Sequence, residues 1–449
     1  MEPTRSPSPP VVIPRPEHTI SRANISPNAL KVLYRLREGG YRACLVGGGV
    51  RDLLLGREPK DFDVATDARP EQIYKLFRNC RLIGRRFRLA HVQFGPEIVE
   101  VATFRAHGDD EEGNGSTVER AADGRILSDN VYGRIEDDAW RRDFTINALY
   151  YDINDFAVLD YVGGMADLKA GVIRLIGDPA QHYHEDPVRL LRAVRFAAKL
   201  GFQLDPATEA PLHRLGHLLG KIPPARLFDE ILKLFMGGCA IQTFELLRHY
   251  RLFGWLFPAT ERGLNYQQNH FPKTLLAQAL TNTDQRVAEG KPIHPAFLYA
   301  ALLWEPLREQ MRRLESEGLS AQEALQEGAE RVIEAQIRHT ALPRRYSLPM
   351  REIWELQQRL MVTTGKRALR LLEHPRFRAG YDFLLLRADS DPEAAELGTW
   401  WSRLLTLDEA ERLQATQPPP KSAKAKPRRR RKAQRGPQAA RPTPLAPET

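Results

Sequence analysis

The chain has 449 residues, enough for two or three domains of roughly 100 to 200 residues, and its 42% hydrophobic and 27% charged composition is that of a soluble globular protein. No apolar run approaches the ~18 to 20 residues of a membrane helix, and the proline-rich start shows no export signal. Net charge is +9, and residues 417–449, with ten Lys and Arg against one Glu, carry a net +9 by themselves, so the remainder is balanced and only the tail suits a polyanion.

Residues 1–27 are dominated by Pro and Ser without a hydrophobic period and predict an unstructured segment. Folding begins with a helix over 26–38, where Ser then Pro mark the start and Ala29, Leu30, Leu33 and Leu36 recur at helical spacing. A strand over 43–46 follows, then Gly47-Gly48-Gly49, then a helix over 50–55 closed by Gly56. Glycines let backbone approach phosphate closely, and N–H groups at a helix start attract anions. Arg51 can add a charge-assisted contact to a triphosphate, although a tight turn that needs glycine for geometry alone would look the same. No GK[ST] follows, so this is not a Walker motif. The three cysteines, Cys44, Cys80 and Cys239, are far apart and odd in number, which argues against a disulfide framework or a zinc site and fits a reducing cytoplasm.

Asp61-Phe62-Asp63-Val64 alternates with period two, so both carboxylates face one side while Phe62 turns into the core. Hard oxygen ligands at that separation suit Mg²⁺, and two such ions can hold a phosphoryl transfer in line. A solvated loop also presents such a pair. Residues 89–104 predict a hairpin turning at Gly95-Pro96, in which Glu100 is either a third metal ligand or a solvent-facing edge residue. The polar, glycine-rich stretch 106–125 predicts a mobile loop.

Arg141-Arg142-Asp143-Phe144-Thr145-Ile146-Asn147 joins arginines, an acid and an amide: Asp143 near the metals could receive or orient the proton of a 3′-hydroxyl, and Arg142 could contact the nucleotide. A structural Arg–Asp pair is the alternative. Beyond residue 141 the pattern is mostly helical, over 186–200, 225–235, 241–252, 295–303, 321–337, 349–360 and 366–372. In the first of these Asp186, Arg189, Arg192 and Arg195 share one face, which could read a base edge or form an ion-paired surface. The chain is therefore an α+β molecule, a mixed-sheet head followed by a helical body, without internal repeats.

LVGGGVRDLLLG, PKDFDVAT, EVATFR, RRDFTINALYYD, YVGGMADL and EDPVRLLRAVRFAAKLGF, in this order, resemble the class II nucleotidyltransferase superfamily of bacterial poly(A) polymerases and tRNA CCA-adding enzymes. The C-terminal stretch GKRALRLLEHPRFRAGYDFLLLRA and the basic tail resemble the poly(A) polymerase branch. The resemblance implies a small mixed-sheet nucleotidyltransferase head at 28–168, a helical neck for base recognition at 169–225, a helical RNA-guiding body at 226–416 and a basic tail at 417–449. It also implies Mg²⁺, as two ions, on Asp61 and Asp63, with Asp143 completing the catalytic carboxylates. ATP would be contacted by Gly48, Arg51 and Arg142, and its base by Asp186 and Arg189, with Arg192 and Arg195 as further nucleotide contacts. Gly49 departs from the GGAVRD form of CCA-adding members. The expected activity is template-independent addition of AMP from ATP to RNA 3′ ends in RNA processing and turnover; CCA addition to tRNA is the enzymatic rival, and an RNA-binding protein with an inactive head is the non-enzymatic one.

Overall fold

The computed structural model describes residues 9–84, 88–106, 119–120, 126–128, 131–266 and 275–417. The expected mobile loop at 106–125 and the basic tail fall almost wholly outside them. Twelve strands are described: β1 (Val11–Ile13), β2 (Ala43–Val46), β3 (Asp63–Thr66), β4 (Cys80–Ile83), β5 (Leu89–Phe94), β6 (Glu97–Thr103), β7 (Glu119–Arg120), β8 (Ile126–Ser128), β9 (Leu149–Asp152), β10 (Val158–Asp160), β11 (Val172–Ile173) and β12 (Gln203–Leu204). Eight form one sheet in the order β1-β10-β9-β2-β3-β6-β5-β4, antiparallel throughout except that β3 and β6 are parallel. β7 pairs with β8, and β11 with β12.

Eight helices position the site: α1 (Pro27–Glu38), α2 (Gly48–Leu54), α3 (Pro70–Leu76), α4 (Ile135–Trp140), α5 (Gly164–Ala170), α6 (Pro179–Glu185), α7 (Val188–Leu200) and, after the short turns α8 (Pro206–Glu209) and α9 (Leu212–Leu215), α10 (Pro224–Phe235). Ser26 caps α1 by accepting from the N–H groups of Asn28 and Ala29, and the helix buries Ala29, Val32, Leu33 and Leu36 against the sheet. From residue 240 to 415 the described chain is helical. One large core runs from the head into this body, and a second, built on Leu356, Leu384, Trp401 and Leu404, holds the last helices together. No helix among the described residues is long and apolar enough to cross a membrane.

Three expectations change. Residues 9–27 are not unstructured: Val11–Ile13 pairs antiparallel with β10, and the His18 ring nitrogen Nε2 lies 2.9 Å from the Phe156 carbonyl oxygen. Helix α2 begins at Gly48 rather than Val50, with Gly47 at φ 76° before it, in the left-handed region that glycine tolerates. The helix expected from Pro349 runs over Arg344–Arg359 with the proline inside it.

The YVGGMADL segment has a structural role. Asp160 accepts the N–H groups of Val162, Gly163, Gly164 and Met165 at 2.9 to 3.1 Å, so one carboxylate holds the turn into α5. Asp167 on α5 then accepts from Thr145 Oγ1 at 2.7 Å and from Arg174 Nε at 3.1 Å, while Arg174 Nη1 reaches Asp205 at 2.5 Å. Head and following helices are joined through that arginine.

Candidate active site

Asp63 opens β3 and sits directly opposite Glu100 of β6, because the two strands run parallel in that register. Asp61 lies two residues earlier, exposed, in the bend before the strand, and Phe62 packs against the core as the alternation predicts. Burial, then Glu100 and Asp61, push the Asp63 carboxyl up to about 6 against the opposing pull of Arg142. Three acids are thus crowded at one place with their negative charge poorly compensated. Glu100 is exposed on its strand, with His91 Nε2 3.3 Å from its Oε1.

The glycine turn faces this acid group. A Cβ added at Gly47 would stand 3.7 Å from Asp63 Oδ2 and 3.8 Å from Arg142 Nη1, so the bare backbone looks onto both. Arg142 is clamped from behind: its Nε donates to Tyr150 Oη at 2.8 Å and its Nη2 to Asp138 Oδ2 at 2.9 Å, while Tyr150 Oη donates to the same Asp138 oxygen at 2.7 Å. Burial alone would lower the Arg142 pKa, but Tyr150 and Asp138 raise it above the ordinary guanidinium value. Gly49 packs on the DxD bend, where a Cβ would come 3.2 Å from the Asp61 carbonyl oxygen.

Arg51, expected at the triphosphate, is buried in this structure. It is 2% exposed, with Nε and Nη2 donating to Asp52 Oδ1 at 2.8 and 2.7 Å and Nη1 to Asn147 Oδ1 at 2.7 Å. Its guanidinium lies beneath Gly48, whose added Cβ would be 3.5 Å from Nη2, so Arg51 supports the turn from inside. Its partner Asn147 lies 96 positions away in sequence.

Asp143, expected among the catalytic carboxylates, is held by Phe144, Asn147 and Arg192. Its Oδ1 accepts the Phe144 N–H at 2.8 Å and Asn147 Nδ2 at 3.2 Å; its Oδ2 accepts Arg192 Nε at 2.6 Å and ion-pairs with Arg192 Nη2. Burial would raise this carboxyl, but Arg192, Asn147 and the Phe144 N–H bring it down to about 2. A folded value below the unfolded one means that the stabilisation is complete above about pH 4 and is lost as pH falls toward 2, a contribution of about 2 kcal/mol. Acid unfolding followed by circular dichroism should therefore show a weaker pH dependence between pH 4 and 2 for Asp143→Asn than for the parent, and equal slopes would refute the assignment.

Asp186, Arg189, Arg192 and Arg195 line one half-buried face at and along α7, while Leu190, Leu191, Ala193 and Val194 are buried behind. Arg226 of α10 donates to Asp186 Oδ2 at 2.7 Å, and Arg189 Nη1 donates to the His182 carbonyl at 3.2 Å. The Arg189 N–H also donates to the Asp186 carbonyl at 2.9 Å, so both residues are held in place. Arg195 Nε is buried without a hydrogen-bond partner, as is Glu230 Oε2 of α10. Glu100, Asp138, Tyr150, Asn147 and Arg226 are the residues that sequence reasoning left open or missed.

Residues 43–174 match the poly A polymerase head domain, 201–264 a probable RNA and SrmB-binding site of polymerase A, and 317–435 the polymerase A arginine-rich C-terminus. Poly(A) polymerase I of Salmonella typhi is 53% identical over 87% of this chain and 85% of its own, and that of Haemophilus influenzae 48% identical over 94% and 95%. A CCA-adding enzyme of Lactobacillus helveticus is 38% identical over 49% of this chain and 52% of its own. A solved tRNA nucleotidyltransferase, complexed with a primer tRNA and an incoming ATP analog, superposes with a TM-score of 0.56 at 25% identity, covering 83% of this chain and 98% of the other. With likeness at that level along nearly its whole length, the chain belongs to the bacterial poly(A) polymerase I family.

Proposed function

We propose that the protein is a template-independent polynucleotide adenylyltransferase: an RNA 3′-hydroxyl attacks the α-phosphate of ATP, AMP is added, and pyrophosphate leaves. The observation that carries this reading is the acid group of Asp61, Asp63 and Glu100 facing the bare Gly47 backbone and the clamped Arg142. The raised Asp63 carboxyl fits a cation-binding place, since an ion would relieve the repulsion that raises it. Mg²⁺ needs only one or two carboxylates, its other positions being completed by water and substrate phosphates. Asp61 and Asp63 would hold two Mg²⁺ ions, which when bound neutralise phosphate charge and favour the attacking oxygen as a nucleophile.

The chain's own residues do the rest. Gly47 and Gly48 leave room for the triphosphate beside Arg142, whose Nη1 points to the same side and can pair with phosphate oxygens. Asp186 and Arg189, pinned by Arg226 and the His182 carbonyl, offer an acceptor and donors in a set relation to the base edge; Arg192 and Arg195 add positive charge next to it. Asp143 serves in this reading by holding Arg192. Residues 28–168, extended back to residue 9 by β1, form the head, 169–225 the neck and 226–416 the RNA-guiding body, with the basic tail adding salt-sensitive affinity for phosphate. Three buried free cysteines suit a cytoplasmic place.

CCA-adding relatives are similar over about half of the chain, whereas poly(A) polymerases are similar through the C-terminal helices as well. The intact acid group speaks against an inactive head. Incubating purified protein with an RNA oligonucleotide, Mg²⁺ and each nucleoside triphosphate separately should yield a long ladder with ATP alone. C, C, A addition to truncated tRNA without such a ladder would transfer the assignment to the rival.

A further inference from the structure

Five side chains form an unbroken hydrogen-bonded line from beneath the glycine turn to α7: Asp52, Arg51, Asn147, Asp143 and Arg192. We propose that Asn147, at the middle of this line, is a positioning residue that keeps the phosphate-facing turn and the base-facing helix in register and so contributes to the choice of ATP over other nucleotides. The proposal rests on the polymerase reading above and assigns within it a residue that touches neither substrate nor metal.

The chemistry at position 147 is demanding. On one side stands a guanidinium, Arg51 Nη1 at 2.7 Å, which needs an acceptor; on the other stands a carboxylate, Asp143 Oδ1 at 3.2 Å, which needs a donor. A primary amide offers both from one planar group. Asn147 is 5% exposed, so water does not replace either bond easily. It sits in the single turn Thr145–Asn147, whose backbone is tied at Thr145 N–H to the Arg174 carbonyl at 3.0 Å. The amide is therefore anchored from both sides.

A second contact makes the line more than a chain of pairs. The guanidinium carbons of Arg51, Arg192 and Arg195 lie 5.1, 5.3 and 5.0 Å from the centroid of one ring, Phe196 of α7, whose edge meets Phe144 at 5.5 Å. One arginine from the head and two from the neck thus share an aromatic platform. Three cations so close repel one another, and burial followed by Arg192 lowers the Arg195 pKa. Asp143 and Asp52 offset two of the three charges, and both anions are linked through Arg51 and Asn147. Breaking the line at Asn147 leaves Arg192 paired with Asp143 but uncouples that pair from Arg51 and the glycine turn, while Asp63 and Glu100 keep their places on β3 and β6.

The test uses the full chain with an RNA oligonucleotide and compares Asn147→Ala, which removes both bonds, with Asn147→Asp, which keeps the acceptor for Arg51 but sets a second carboxylate against Asp143. Loss of hydrogen bonds to charged groups predicts that Asn147→Ala raises KM for ATP about 10-fold with kcat within about 3-fold, and that preference for ATP over CTP in kcat/KM falls about 10-fold. Asn147→Asp should lose that preference as well. Equilibrium binding of ATP and CTP to each folded variant without RNA reads the same ratio independently of turnover, so absence of polymerisation by the parent would refute the polymerase reading without silencing this one. An unchanged ATP to CTP ratio in either assay, with only a lowered Tm, would overturn the proposal, as would an Asn147→Asp variant that matches the parent.

Discussion

Asp63→Asn is expected to reduce AMP incorporation by about 10³-fold or more, since a lost metal carboxylate removes several kcal/mol of transition-state stabilisation and each 1.4 kcal/mol is tenfold. The same change should leave Tm in a chelator unchanged or higher. Burial, Glu100 and Asp61 all disfavour the charged form of Asp63, so an uncharged amide of the same shape relieves repulsion instead of removing a stabilising contact. Single-turnover extension of a labelled RNA, together with thermal unfolding in EDTA, separates the two effects. Activity within tenfold of the parent would remove Asp63 from the catalytic group; a large drop in Tm would mean that the acid is a structural element.

The second large effect is expected far from the acids, at Gly164. A Cβ there would stand 2.3 Å from the Thr145 carbonyl oxygen, 2.9 Å from its carbonyl carbon and 3.1 Å from Leu149 Cδ2. The first two atoms are backbone, so no side chain can swing aside. Gly164→Ala should therefore destabilise the protein by about 3 kcal/mol or more, the upper end for overpacking, and lower Tm by roughly 6 to 12 °C. The displaced backbone also opens the turn that carries Asn147, so KM for ATP should rise in the fraction that remains folded. Thermal unfolding decides it: a shift below about 2 °C would show that the α5 turn relaxes freely.

Period-two alternation found β3, and glycine punctuation found the turn between β2 and α2, because both signals are local. Several site partners have no local signal. Glu100 meets Asp63 only because β3 and β6 run parallel in one register, a fact of topology that neither segment carries alone. The pairings of Arg51 with Asn147 and of Arg226 with Asp186 span 96 and 40 positions, and nothing in either local segment announces them. The acidic and basic residues at and along α7 were visible as one face, yet the pairing of Asp186 with an arginine of α10 was not, since Arg226 lies 40 positions away. The helix expected from Pro349 begins at Arg344 instead, and Met350, Ile353 and Trp354 are buried beyond the proline that it runs through.

The strand at Val11–Ile13 is three residues long and pairs only with Val158–Asp160. During synthesis β1 emerges before the other described strands of this sheet yet cannot be seated until its partner, some 145 residues later, has emerged and joined β9. Until then the beginning of the chain has no place in the sheet, and non-local pairings of this kind form slowly. Closure of that edge thus waits on β10, whereas β2 and β3, which flank the glycine turn and the DxD segment further into the sheet, can pair with each other as soon as both have emerged.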